Sequence, residues 1–339
     1  MAGTLSEKSA SDFGLPAGIP VGSGVIDAYA GWIGTVGAKH ELSSGEHHID
    51  VSEAFGRLAA VAGTSTCHLA MSKDPIFVNG VWGPYRDVII PDFWVAEGGQ
   101  SATGELLKHI LETHPAYLEA KELAEGDGKN IYEELDQVLH SLAQKSNAPT
   151  ISYLGRHFFF YGDLFGNRSP IADPHMTGSI IGLRSDKGVD NLALHYYGTM
   201  EFIALQTRHI IDTMNNAGHA ISSLYMSGSQ CQNKILMQLI ATVCDIPVII
   251  PQYVTAAVCH GAAMLGAKAA SASGVKGEKT EDLWSIMRRM SKPGEVVHPG
   301  KDLWEKKLLD AKYKVFLEQA HVQQVYRREI DEAVRDWKK

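Results

Sequence analysis

Positive charge is in short supply: 31 Lys and Arg stand against 39 Asp and Glu, a net charge of -8 at pH 7. Surfaces for nucleic acid or for anionic membranes need clustered Lys and Arg, so neither partner is expected and small soluble molecules are. Cysteine is sparse as well. Cys67, Cys231, Cys244 and Cys259 show no CxxC spacing and fall in apolar or helix-like stretches, which reads as buried thiols and argues against a zinc site. No apolar run reaches the roughly 18–20 residues that cross a bilayer. The polar start Met1-Ala-Gly-Thr-Leu-Ser-Glu7 also has no signal-peptide core, so the expected compartment is the cytoplasm. Oligomeric state stays open, a homo-oligomer included.

The common phosphate-binding fingerprints are missing too. Gly22-x-Gly24-x-x-Asp27 begins like a dinucleotide turn but places an acid where close helix packing needs Gly or Ala. Gly274-Val-Lys-Gly-Glu-Lys-Thr280 has P-loop letters in the wrong order, and no GxSxG elbow supports a hydrolase.

What is present is an ordinary globular composition, 45% hydrophobic and 21% charged over 339 residues, enough for one large domain or two ordinary ones. Arg57 to Ala62 and Thr66 to Met71 read as strands joined by a turn at Gly63-Thr64-Ser65. Gly98 to Ser101 reads as a strand-to-helix turn, followed by a helix through Leu106, Leu107, Ile110 and Leu111. Residues 115–147 form a helical excursion, and an apolar strand is expected around Ile180. A long helix from about Asn191 to Asn216 precedes a βαβα ending, with strands at 221–226 and 247–250 and helices at 232–243 and 256–270. Ala267 to Glu278 reads as the end of that last helix and a surface loop, and the tail from Leu303 as an amphipathic helix on the body.

Several residues stand out chemically. Asp27 follows a short apolar run and two glycines at the start of a helix-like stretch, and is the first candidate for removing a proton from a substrate. The small hydroxyl-bearing turn Gly63-Thr64-Ser65 offers N–H and O–H groups to a phosphoryl oxygen, although such a turn is usually only a turn. Gly228, at a strand's end, lets a flat ring approach the backbone, and Asn233 opens the next helix; an exposed Asn233 in a plain turn is the alternative. Glu201 and Arg208 share a helix face, which reads as a surface or inter-element ion pair. Arg168 is expected to orient its loop, with a phosphate contact as the alternative, Gly261-Ala-Ala263 to pack helices closely, and His40, His47 and His48 to lie in a solvated loop.

Taken in order, Ile19 to Ala28, Ala62-Gly-Thr-Ser-Thr66, Gly166-Asn-Arg-Ser-Pro170, Ser227 to Asn233 and Gly261-Ala-Ala263 resemble the FGGY carbohydrate kinases. Ser72 to Val78, Val81 to Tyr85 and Glu97-Gly-Gly-Gln-Ser101 bring the likeness nearest to the ribulokinase branch. The resemblance implies an α/β, actin-like (ribonuclease H-like) fold that binds ATP and Mg²⁺ and phosphorylates a sugar or polyol, with D-ribulose foremost. It implies Asp27 as general base, Gly63, Thr64 and Ser65 at the phosphates, Gly99 at a helix start near the nucleotide, and Gly228 and Asn233 at the adenosine.

By the same resemblance, residues 1–45 correspond to the last strand and helix of the family's N-terminal domain and 46–339 to its C-terminal domain. Val21, Val25, Ile26, Trp32 and Ile33 are then expected to lack their normal cover. Two departures stand out: Ser227-Gly228 replaces a usual pair of glycines, and the Asp-x-Gly-Thr loop of the first domain has no counterpart in this sequence. These departures raise a second reading, a non-catalytic nucleotide-binding or interaction module of the same fold.

Overall fold

A computed structural model describes residues 2–40, 50–272, 280–335 and 337. At the start, β1 (Gly3–Thr4), α1 (Glu7–Phe13) and β2 (Pro20–Val21) form a small two-stranded unit, followed by α2 (Asp27–Val36). Next come β3 (Arg57–Ala62), β4 (Thr66–Ser72), β5 (Trp82–Arg86), β6 (Trp94–Gln100), and the helices α3 (Gly104–Glu112), α4 (Tyr117–Gly126), α5 (Ile131–Lys145) and α6 (Ile151–Leu154). A hairpin of β7 (Phe159–Gly162) and β8 (Gly178–Ile181) leads into α7 (Val189–Asn216). The remainder is β9 (Ser223–Ser227), α8 (Lys234–Cys244), β10 (Val248–Ile250), α9 (Ala257–Ala272), α10 (Leu283–Met290), β11 (Glu295–Val297) and α11 (Leu303–Ala333).

One seven-stranded sheet organises the body, in the order β11-β10-β9-β3-β4-β6-β5. β3, β9 and β10 run parallel, as crossover helices require, while β4, β6, β5 and β11 are antiparallel to their neighbours. Strand alternation divides the core in two. Leu58, Ala60, Leu224 and Met226 face a layer containing α3, α5, α7, α8 and α11, whereas Ala59, Leu69, Val95 and Tyr225 face α2, α9 and α10.

The N-terminal helix is covered here, contrary to the expectation for its apolar face. Trp32 and Ile33 are buried in the second core, and only Val21 and Ile26 of the expected uncovered group are exposed. Small residues make this cover. A side chain on Gly34 would put its Cβ 2.0 Å from the Ala257 carbonyl oxygen, and one on Gly261 would put it 1.9 Å from that of Ala30, so α2 and α9 touch backbone to backbone. The close-packing role read for Gly261-Ala-Ala263 holds at Gly261. Gly261→Ala is expected to cost about 1–3 kcal/mol by wedging these helices apart. The same change at Gly266, where a Cβ meets nothing within 4 Å, is expected to be neutral or slightly stabilising. Chemical denaturation of the two variants tests this contrast.

Most expected elements appear within a few residues of their predicted ends. The exceptions are local. Gly98 to Ser101 is no helix entry: β6 continues through Gln100 because Cys67 pairs with Gly99 and Thr66 with Gln100, and α3 starts at Gly104. α9 extends to Ala272, beyond the predicted boundary, while residues 273–278 of the predicted loop lie outside the described residues. Glu201 and Arg208 each form an inter-element ion pair with α11, as one of the expected possibilities has it, but they do not pair with each other. Arg208 bonds Asp310 on α11 at 2.6 Å, and Glu201, turned inward, meets the Lys312 ammonium at 2.5 Å. Of the thiols expected to be buried, Cys231 is, with its pKa pushed by burial up to about 12, but Cys259 is exposed on α9. Among the described residues no helix is long and apolar enough to cross a membrane. His40 sits beside the Tyr225 ring, whereas His47 and His48 lie outside the described residues.

Candidate active site

Helix α2 lies antiparallel to β3, and two contacts fix its direction. The Val36 carbonyl accepts a 2.8 Å bond from Arg57 at the start of β3, while a Cβ on Gly31 would sit 2.7 Å from Val61 near that strand's end. Asp27, four residues before Gly31, therefore projects about 6 Å further along the helix axis, beyond the C-terminal end of β3. The Gly63-Thr64-Ser65 turn begins at that same edge. Asp27 is exposed, and its Oδ1 accepts a 2.7 Å bond from the Ala28 amide at the helix start.

The turn is held from behind and open in front. Its carbonyls are engaged: Gly63 O accepts from Gly104 N at 3.2 Å and from Gln230 Nε2 at 2.9 Å, and Thr64 O accepts from Thr103 N at 2.9 Å. Among the described residues the Thr64 and Ser65 hydroxyls make no hydrogen bond, and a Cβ on Gly63 would meet nothing within 4 Å. Packing therefore does not demand glycine at position 63. Gly104 differs, because its Cβ would lie 2.6 Å from Gly63 O. The start of α3 is thus pressed against the turn, adding its positive dipole end to an edge suited to anions.

Beside the turn, a cleft of about 230 Å³ opens between the start of α3, helix α5 and the start of α8. Gly104, Tyr132, Asp136, Gln230 and Asn233 are among its lining. Asn233 caps α8 through a 2.8 Å bond from Leu236 N to its Oδ1, and its amide donates to the Tyr196 hydroxyl and, at 3.4 Å, to Met200 Sδ. It is half-buried, neither the free amide nor the exposed turn residue of the two sequence readings. Gly228, with φ of 102°, is confined by its neighbour strand: a Cβ there would lie 1.9 Å from Ala62 O. The flat group that comes close to Gly228 is thus the peptide of β3. Ser227 is buried at the end of β9 and is not part of the cleft wall.

Gly99 faces away from that cleft, on the α2 side of the sheet, where a Cβ would meet the Arg168 guanidinium at 2.9 Å. Arg168 has the orienting role expected of it. Its Nη2 donates to Glu97 Oε1 at 2.7 Å, its Nη1 approaches Cys67 Sγ at 3.4 Å, and it lies 4.6 Å from the centre of the Trp82 ring. Burial and the adjacent Glu97 carboxylate push the Tyr29 hydroxyl up to about 12. Arg168, Glu97 and Tyr29 form a polar group under α2 that no single segment of sequence reveals. Asp136 is the other group missed at first reading: burial pushes its carboxyl up to about 6, against the pull of the adjacent Tyr196 hydroxyl.

Known proteins resemble this chain over most of its length. The FGGY family of carbohydrate kinases, C-terminal domain, matches residues 58–270. A D-ribulokinase of Saccharomyces cerevisiae is 47% identical over 308 residues, covering 85% of this chain and 43% of that protein. An FGGY carbohydrate kinase domain-containing protein of Homo sapiens is 40% identical over 325 residues, covering 95% of this chain and 56% of its own. The chain thus spans about half the length of these curated relatives. Among solved structures, xylulose kinase from Rhodospirillum rubrum superposes with a TM-score of 0.66 at 19% identity, over 95% of this chain and 55% of that one. That likeness supports the expected α/β, actin-like fold. The chain belongs to the FGGY family of carbohydrate kinases.

Proposed function

We propose that this chain carries the nucleotide site and the general base of an ATP-dependent ketose kinase whose acceptor is D-ribulose. The observation that supports it best is the common edge shared by Asp27, the open Gly63-Thr64-Ser65 turn and the adjoining cleft. In this reading the cleft receives the base of ATP, the turn holds the phosphates, and Asp27 meets the sugar hydroxyl. The hydroxyl oxygen bonds to the γ-phosphorus as the bond to the β-phosphate oxygen breaks, the proton passes to the Asp27 carboxylate, and ADP departs. A carboxylate suffices because phosphoryl transfer depends more on an aligned alcohol than on a strong base. Mg²⁺ would neutralise phosphate charge when bound with the nucleotide; among the described residues no cluster of three or more His, Cys, Asp or Glu side chains would hold it.

Gly228 and Gly99 act here by allowing close packing, against Ala62 and Arg168 respectively, and Asn233 by fixing the start of α8 at the cleft wall. D-ribulose is favoured over other ketoses by the yeast relative, which is named a D-ribulokinase.

ADP release with ATP-Mg and a panel of D-ribulose, L-ribulose, D-xylulose, ribitol and glycerol tests the reading, alongside the melting temperature with and without ATP. The expected result is turnover highest with D-ribulose and a rise in melting temperature with ATP. Turnover of another acceptor reassigns the sugar. A thermal response without turnover supports the nucleotide-binding module instead.

A further inference from the structure

Asn233, the amide expected at the adenosine, has its donors directed at Tyr196 and Met200 and its acceptor at Leu236. Other polar side chains of the cleft are engaged in whole or in part. Asn130 accepts from the amides of Tyr132 and Glu133, Glu133 returns a bond to Asn130 N, and Gln230 is anchored through its Nε2 to Gly63 O and Thr103 Oγ1 at the turn end. Two buried acceptors of the lining have no hydrogen-bond partner among the described residues: Gln230 Oε1, on an amide pinned to the turn end, and Asp136 Oδ1, on a carboxyl that also meets the Tyr196 hydroxyl. Only the second belongs to an ionisable group, and it stands on α5 beside an exposed aromatic ring. A buried acceptor left unmet is costly, and a donor N–H on a ligand would relieve it.

One turn earlier on α5 and on the same face, Tyr132 presents a ring that is 37% exposed, 6.0 Å from the Tyr196 ring. An exposed aromatic face beside an orphaned acceptor fits a flat heteroaromatic ring bearing an amino group. We propose that Asp136 selects the nucleobase, its carboxylate accepting a hydrogen bond from the 6-amino group of adenine while the Tyr132 ring lies against the base. This assignment rests on the cleft being the nucleotide site, and extends it to the residues that recognise the base.

The test is calorimetric titration of the chain and of Asp136→Ala with ATP and with purine riboside 5′-triphosphate, which lacks the 6-amino group. Wild-type chain is expected to bind ATP at least about tenfold tighter than the analogue, one good hydrogen bond's worth of discrimination. Asp136→Ala should weaken ATP binding to the level of the analogue, so that the two ligands become equivalent. An ATP preference unchanged in Asp136→Ala overturns the assignment while leaving the nucleotide site intact; failure of the wild type to bind ATP overturns the site itself.

Asp136→Asn provides the folding control. The native carboxyl titrates near 6 and the unfolded one near 3.8, so its charge opposes folding above pH 6 and has no effect below about pH 4. The Asn variant is therefore expected to melt at or above the wild type at pH 7, with the advantage fading as pH falls toward 4, and, because its carboxamide oxygen still accepts a hydrogen bond, to keep the ATP preference that Asp136→Ala loses.

Discussion

Replacing Asp27 by Asn is expected to lower sugar-dependent ADP release by about a thousandfold, while the affinity for ATP stays within a few fold of the wild type. The magnitude is that of general acid–base catalysis, which contributes some 10²–10⁴-fold. The separation of effects follows from position. Asp27 is exposed at the first turn of α2, and among the described residues its carboxylate accepts a hydrogen bond from the Ala28 amide alone, so Asn keeps the local geometry and loses the proton acceptor. The wall proposed to receive the base, by contrast, is made by α3, α5 and α8 on the other layer of the molecule. Steady-state kinetics in both substrates check this, and a variant retaining a tenth or more of the wild-type rate would show that Asp27 is not the base.

Lys312→Met is expected to destabilise the fold by roughly 3–5 kcal/mol, the usual cost of leaving one member of a buried ion pair without the other. Lys312 on α11 is buried, and its ammonium meets Glu201 Oε1 at 2.5 Å and donates to the carbonyls of Gly155 and Phe158 at 2.5 and 2.8 Å. Tyr197 donates to the other Glu201 oxygen at 3.0 Å. Burial holds the Glu201 carboxyl above the ordinary carboxylate range, with Lys312 and Tyr197 opposing. Removing the ammonium leaves that carboxyl and two carbonyls without their donor. The double variant Lys312→Met/Glu201→Leu should recover a large part of the loss, because an apolar pair has no buried charge to satisfy. Urea unfolding midpoints of the single and double variants decide it, and a single variant as stable as the wild type would contradict the account.

Sequence alone reaches the elements whose signals are local. The β3–β4 hairpin could be read because Gly-Thr-Ser interrupts two strand-like runs, and α7 because its apolar positions repeat for most of its 28 residues. It misses what depends on distant partners. Gly34 and Gly261 each resemble any small helical residue, and only their meeting explains why Trp32 and Ile33 are buried. Gly98 and Gly99 suggest a turn by composition, yet the ladder with Cys67 and His68 keeps them in a strand, and the space freed at Gly99 belongs to Arg168. Asn233 was found by its place before a helix, but its engagement with Tyr196, 37 positions away, was out of reach. Asp136 was invisible for the same reason: on α5 it is one acid among several, and the walls that bury it come from α7 and from the start of α8.

The glycine contact between α2 and α9 has a mechanical consequence. With no side chain between the two backbones, α2 has no slack to slide along the sheet, so Asp27 and the Gly63-Thr64-Ser65 turn keep a fixed separation as parts of one block. In the proposed reaction the acid does not swing toward its substrate. The sugar is delivered to an acid and a phosphate cradle whose spacing is already set, and the work of alignment falls on whatever carries the sugar in.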